Sequence, residues 1–267
     1  FSPIITLESF KNKSDLINIL NKSNYGLSCM IWSKNISKSL TLDPLINDLS
    51  CQFYIRPESQ ANDNQIIFQK FNSLANNMTL FLSESSDISK CNINFGITSG
   101  SYFNFVSSSI DKGSFSFVTA QHTRATGRLS LTIYDNQRKK THVTSSNQTI
   151  FSELRYFGAP LNIGSGESFR YSEQIVIPQV TFSGSLDEFR YYHRDLSDKE
   201  ILENKNKSVS GDTDLILYYK FNEPYGSYVN NNVILDSSVN SRTENIKNFI
   251  INNRLTGSDS PVKAEDL

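Results

Sequence analysis

From Leu49 to Gln137 the chain is a run of short segments in which apolar and polar residues alternate, each closed by turn residues. "LSCQFYIRPES" stops at Pro57, and "NQIIFQKFNS", "MTLFLSES", "CNINFGITSG", "SFSFVTAQHT" and "GRLSLTIYDNQ" follow. Period-two alternation gives each strand one face to bury. Many short strands at this spacing specify an all-β chain, a sandwich or jelly roll, rather than a helical fold. "TRATGR" reads as a hairpin turn around Gly127, and "YDNQRK" as a second turn from which "KKTHVTSS" returns antiparallel.

The rest of the chain is organised around this block. Residues 1–48 read as an N-terminal extension with a short helix, N-capped by Ser14 and carrying Leu16, Ile17, Ile19 and Leu20, then a strand through Leu27, Cys29 and Ile31. Residues 49–208 form the sandwich. "PLNIGSG" and "SLDEFRYYH" supply later strands. Ser197 with Glu200 three residues on has capping-box spacing, which predicts a second short helix. Residues 209–267 hold "DLILYYKFNEP", "VILDSS" and "IKNFIINNRL", then a polar tail. They read as closing strands or the start of a truncated second module.

Composition narrows the partners. The 267 residues carry 26 Lys and Arg against 27 Asp and Glu, net charge -1, so no basic footprint for nucleic acid exists. No apolar run approaches the roughly 18 residues of a membrane span, which argues against membrane insertion. The chain starts at Phe1, which reads as a fragment or a processed product. Cys29, Cys51 and Cys91 are too few and too scattered for a disulfide framework or a zinc site. Sequons at Asn12, Asn21, Asn35, Asn77, Asn147 and Asn206 permit glycosylation without arguing for it in so Asn-rich a chain.

The order of motifs resembles the laminin G-like, type 3 modules of the concanavalin A-like lectin/glucanase superfamily, over residues 49–203. "LSCQFYIRP" fits their opening strand with Tyr54 in a Trp slot. "SFSFVTAQHTR" fits another, with Phe115 in a Trp slot and Thr123 in an Asp slot. "GRLSLTIYDNQ" and "PLNIGSG" follow in order. "FSGSLDEFRYYHRDLSDKEI" then matches the family's F-x-G-x-I-D-E-V-R-I-Y-x-R-x-L-S-x-x-E-I almost throughout. Its signature positions here are Gly184, Asp187, Glu188, Arg190, Tyr192 and Ser197. The resemblance implies a concanavalin A-like jelly-roll sandwich of two antiparallel sheets, with short helices near the N-terminus and after the last matching strand. It also implies that calcium is possible at a sandwich rim. Asp236 and Asn240 stand in the slots of the family's D-S-S-G-N, and Asp63 and Asp135 sit in loops. The competing reading of each is an Asx-turn. No other cofactor is required.

The superfamily contains glucanases, so Asp187 and Glu188 are the residues to test. A retaining glycosidase needs two carboxylates on one face, about 5–5.5 Å apart. No E-x-D motif occurs, and strict alternation sends Asp187 and Glu188 to opposite faces. On that basis no enzyme is expected. Phe189 should point inward with Asp187, while Glu188 and Arg190 form an outer ridge for cross-strand pairs. His122, His142 and His193 lie on separate strands without ligand spacing, as satisfied or surface histidines.

Three functions remain. The first is a non-catalytic structural or adhesion module of a larger surface assembly, a virion or cell-surface protein whose partners are protein subunits. The second is a carbohydrate-binding lectin domain using Tyr102, Phe103, Phe105, Phe169 and Tyr171, all read as in or beside loops. The third is a degenerate glycoside hydrolase.

Overall fold

The computed structural model describes residues 48–59, 64–146, 151, 159–178, 181–222, 233–240 and 244–245. The expected N-terminal helix and strand, Asp63, the strand expected at 246–255 and the tail lie outside them. The chain divides into two compact units, 1–42 and 43–267, and all the described residues belong to the second.

Two antiparallel sheets carry the fold. The six-stranded sheet runs in the order β13 (Leu215–Tyr219), β12 (Gly184–Tyr192), β1 (Leu49–Pro57), β6 (Ser116–Thr123), β7 (Arg128–Tyr134), β8 (Lys140–Thr144). The five-stranded sheet runs β5 (Tyr102–Asp111), β4 (Lys90–Ser99), β3 (Asn76–Glu84), β2 (Gln65–Ser73), β9 (Leu161–Ile163). Two small ribbons accompany them: β10 (Phe169–Tyr171) with β11 (Gln174–Val176), and β14 (Val233–Ile234) with β15 (Glu244–Asn245). One helix, α1 (Asp198–Asn204), follows β12. The turn expected at Gly127 joins β6 to β7, with Gly127 at φ +65°, and β8 returns antiparallel beside β7.

Alternation explains the core. Cys51, Phe53 and Ile55 of β1, Val118 and Ala120 of β6, and Leu129, Leu131 and Ile133 of β7 face the second sheet. There they meet Leu80 and Leu82 of β3 and Ile93, Phe95 and Ile97 of β4. Phe53, Phe68 and Phe189 meet at its centre, with ring centroids 6.0–6.5 Å apart. Burying an aromatic side chain removes about 150–250 Å² from water, so this cluster joins the sheets. Cys51 and Cys91 are free, buried thiols within it, and burial raises the pKa of both.

The outer face of the six-stranded sheet departs from expectation. It is covered, not solvated. Tyr54, Phe117, Tyr134, Tyr192 and Tyr218 pack there against Leu196 and Ile201. These last two flank and form the apolar side of α1. The helix starts as the spacing demands: Ser197 accepts from the Glu200 N–H, and Glu200 reaches back to the Ser197 N–H at 2.8 Å. Arg190 is 0% exposed and Glu188 4%, so the outer ridge expected for them does not exist.

β12 also breaks its alternation. Gln52 pairs with Arg190, but Tyr54 pairs with Asp187, so one extra residue sits opposite Phe53. Glu188 there adopts φ +52°. This is a β-bulge with a non-glycine residue in the left-handed region, which costs about 1–2 kcal/mol. Leu186 then pairs with the inward Ile55, and Asp187 with the outward Tyr54. Asp187 is therefore not the inward acid that alternation predicts. Phe189 does point inward, at 0% exposure.

Candidate functional site

The acid pair comes first. The bulge brings Asp187 and Glu188 to the same, outer face, so the argument that separated them by alternation does not hold. A different feature withdraws Glu188 from substrate. Its Oε2 accepts from Arg190 Nη2 at 2.5 Å and from the Tyr218 hydroxyl. Arg190 also donates to the carbonyls of Asn204 and Lys207, each at 2.7 Å. Its guanidinium lies 5.0 Å from the Tyr218 ring centroid. Burial opposes the Arg190 charge, yet Tyr218 and Glu188 outweigh it and its pKa is raised. Burial also raises the Tyr218 pKa, which keeps the phenol protonated as a donor. Arg190 thus ties the end of α1 and the following turn to β12 and β13. Tyr54 adds a hydrogen bond from its hydroxyl to the Lys205 carbonyl. Asn204 bonds Gln52 and Tyr192 at 3.2 and 3.4 Å. Glu188, Arg190, Tyr192 and Ser197 of the signature serve one purpose: they build α1 and clamp it over the sheet. Asp187 accepts from the Glu188 N–H at 2.9 Å and so supports the bulge.

The aromatic candidates lie in strands, not loops. Phe103 and Phe105 share the outer face of β5, with centroids 6.3 Å apart and planes 14° apart. The β10–β11 ribbon lies over the same face of the five-stranded sheet. It brings Tyr171 to 5.0 Å from Phe105 and 4.9 Å from Phe81. Phe169 is 1% exposed against Phe81 and acts as an anchor. Tyr102 is 63% exposed at the start of β5 and stands apart from the group. The structure therefore assembles four of the five candidates, and three of them, Phe103, Phe105 and Tyr171, are half-buried.

Residues not singled out by sequence seat the ribbon. The Gln69 amide accepts from the Glu167 N–H at 2.8 Å and donates to the Glu167 carbonyl at 3.0 Å, as a neighbouring strand would. A Cβ on Gly96 would stand 3.0 Å from the Tyr171 ring, so the glycine makes room for it. Asn94 Oδ1 is 3.5 Å from the Tyr171 hydroxyl.

The calcium candidates hold a sheet edge. Asp236 Oδ1 accepts from the N–H groups of Tyr218 and Ser238, both at 2.9 Å, and Oδ2 accepts from Ser238 Oγ at 2.8 Å. Asn240 Nδ2 donates to the Ile216 carbonyl at 3.1 Å. The two residues cap β13, where an open edge would invite pairing with another chain. Asp135 accepts from the N–H groups of Gln137 and Lys139, at 2.9 and 2.8 Å, the turn use of an Asp. Asp236→Ala is expected to destabilise the fold by about 1.5–3 kcal/mol, the range for hydrogen bonds to a charged group. Thermal denaturation with and without millimolar calcium checks the assignment, and no calcium-dependent shift is expected for either protein.

The histidines divide. His142 Nδ1 is 2.9 Å from Thr132 Oγ1, and His193 packs edge-on to Tyr191 at 5.7 Å. His122 is neither satisfied nor on the surface. It is 1% exposed, and neither ring nitrogen has a partner among the described residues. Among those residues no cluster of three or more His, Cys, Asp or Glu is arranged to hold a metal.

Comparison with family models agrees with this architecture. A family model of laminin G type, described as the concanavalin A-like lectin/glucanases superfamily, matches residues 34–202. An aldehyde dehydrogenase family model matches residues 1–47, outside the described residues. No curated protein matches the chain. Among solved structures, a Bacteroides ovatus protein described as a candidate carbohydrate binding protein aligns at 15% identity and TM-score 0.48, over 73% of this chain and 51% of its own. The LG1-3 region of the laminin alpha2 chain aligns at 17% identity and TM-score 0.40, over 55% of this chain and 28% of its own. The enzymatically active domain of tailspike protein 2 of bacteriophage CBA120 aligns at 12% identity and TM-score 0.40, over 58% of this chain and 23% of its own. The chain thus spans about half the length of the first of these and less of the others. A model match over more than half the chain, on a two-sheet antiparallel sandwich, settles the family: the chain belongs to the laminin G-like modules of the concanavalin A-like lectin/glucanase superfamily.

Proposed function

We propose that the chain is a non-catalytic module that binds or builds within a larger surface assembly, extracellular or on a virion, with protein subunits as its partners. One observation carries this reading: Glu188, the strongest catalytic candidate, is locked under α1 by Arg190 and Tyr218. Two rows on the outer face of the five-stranded sheet lack acids as well. The outward rows Gln69–Thr79–Gly96–Phe105 and Phe71–Asn77–Thr98–Phe103 contain no carboxylate. A glycosidase needs a pair of them.

A second reading is carbohydrate binding at Phe103, Phe105 and Tyr171. Its support is that these rings meet on one face beside the Asn94 amide. Aromatic rings edged by a few polar groups suit the apolar face of a sugar. A glycan array at high micromolar protein, followed by product analysis of any bound sugar, separates the two. Binding that leaves the glycan intact and falls at least tenfold in Phe105→Ala supports the lectin reading. Silence across the array removes it and leaves the assembly role.

A further inference from the structure

His122 is a buried titratable group whose two ring nitrogens have no partner among the described residues. It lies near the end of β6, where its neighbours across the strands are Leu49 and Leu129, both part of the inter-sheet core. Its ring faces Phe151, with centroids 5.9 Å apart, and Phe151 is itself 3% exposed and joined to that core. Buried polar groups are nearly always hydrogen-bonded, so an imidazole with both nitrogens unpaired calls for a reason. The nearby polar groups on the adjoining strands are engaged with one another. Ser145 Oγ accepts from the Leu129 N–H and from Asn104, both at 3.1 Å, and Asn104 also donates to the Gly127 carbonyl at 2.7 Å.

We propose that His122 and Phe151 form an acid-sensitive latch at this end of the sandwich: protonation of the imidazole expels it from the core and releases Phe151 with it. A buried imidazolium with no acceptor would face the full cost of desolvation, whereas the neutral ring tolerates the site. Two charged groups among the described residues act on it. Asp48, just before β1, favours the cation, and Arg124, just after β6, opposes it. Asp48 is engaged, its Oδ1 accepting from the Arg124 backbone N–H at 2.7 Å. Burial is the larger influence and pushes the His122 pKa down to about 4 from an ordinary 6.5.

The sign follows from linkage. An opened His122 takes up a proton as the pH falls below 6.5, and the closed one only near 4. Between those values every fall in pH favours opening. From pH 7.5 to pH 5 the opening equilibrium should rise about thirtyfold. Above pH 6.5 the latch is indifferent to pH, and below about 4 no further gain accrues.

Hydrogen exchange on the full chain, corrected for intrinsic rates, tests this at the amides of Ala120–Thr123 and Phe151. Wild type should open about thirtyfold more at pH 5 than at pH 7.5 by the same linkage. His122→Leu, which keeps the bulk and loses the charge, should show no pH dependence there. An equal pH response in wild type and variant, or none in wild type, overturns the latch. If the Leu variant does not fold, His122→Met takes its place. The wild-type imidazole can also be followed directly by NMR: a folded-state titration at or above 6 contradicts the proposal, whatever the variants do.

Discussion

Arg190→Met is expected to lower the unfolding free energy by about 3–5 kcal/mol, the range for breaking one side of a buried ion pair. The substitution leaves the Glu188 carboxylate at 4% exposure without its cation. It also removes donors from the Asn204 and Lys207 carbonyls, so α1 loses part of its tether to the sheet. For a chain of this size each kcal/mol shifts Tm by about 2–4 °C, so a drop of about 10 °C should be visible by calorimetry. The triple variant Glu188→Leu, Arg190→Met, Tyr218→Phe separates charge from shape. Well-packed apolar replacements of buried ion pairs are often neutral or stabilising, so the triple variant should recover most of the loss. A triple variant as unstable as Arg190→Met would show that the carbonyl contacts, and not the unpaired carboxylate, dominate.

Gly184→Ala is expected to destabilise by about 3 kcal/mol, because strain and collision coincide there. Gly184 has φ +154°, and an added Cβ would sit 2.4 Å from the Arg56 carbonyl oxygen. That oxygen belongs to the backbone of the paired strand and cannot swing away, since Gly184 opposes Pro57 in the β1–β12 register. The collision would part the two strands at the point where the bulge follows. Gly100→Ala is the control. It shares a positive φ, +64°, but nothing lies within 4 Å of its Cβ. It should cost about 1 kcal/mol, the backbone contribution alone. Chemical denaturation of both variants measures the difference.

Much of the frame could be read from residue order. Alternation located β1 to β4, β6 and β7, and turn chemistry placed Gly127 between strands. The Ser197–Glu200 spacing located α1. Phe189 was legible as inward. Other features were not legible, for physical reasons. A bulge leaves no mark in a period-two pattern when its extra residue is a Glu and not a Gly, so alternation sends Asp187 inward, although it lies on the outer face with Glu188. Whether an outer face meets solvent depends on what folds over it. The signal was present in Leu196, just before the helix, and Ile201 within it, apolar side chains that need a surface to cover. Tyr218 completes the clamp from another strand, and no local spacing links it to Glu188. Among the aromatics, Phe169 and Phe105 look alike in sequence. Only the docking of the β10–β11 ribbon makes one an anchor and leaves the other half-open. β5 itself escaped notice because Ser107, Ser108 and Ser109 interrupt its apolar pattern.

The central proposal is that Glu188 clamps a helix, with Asp187 supporting the bulge beside it, and that the pair performs no chemistry. Glu188→Gln tests it most directly, measured side by side for thermal stability and for hydrolysis of a panel of β-glucans. The account predicts a lower Tm for the variant and no hydrolysis by either protein. Hydrolysis by wild type that disappears in Glu188→Gln while the fold survives would contradict it.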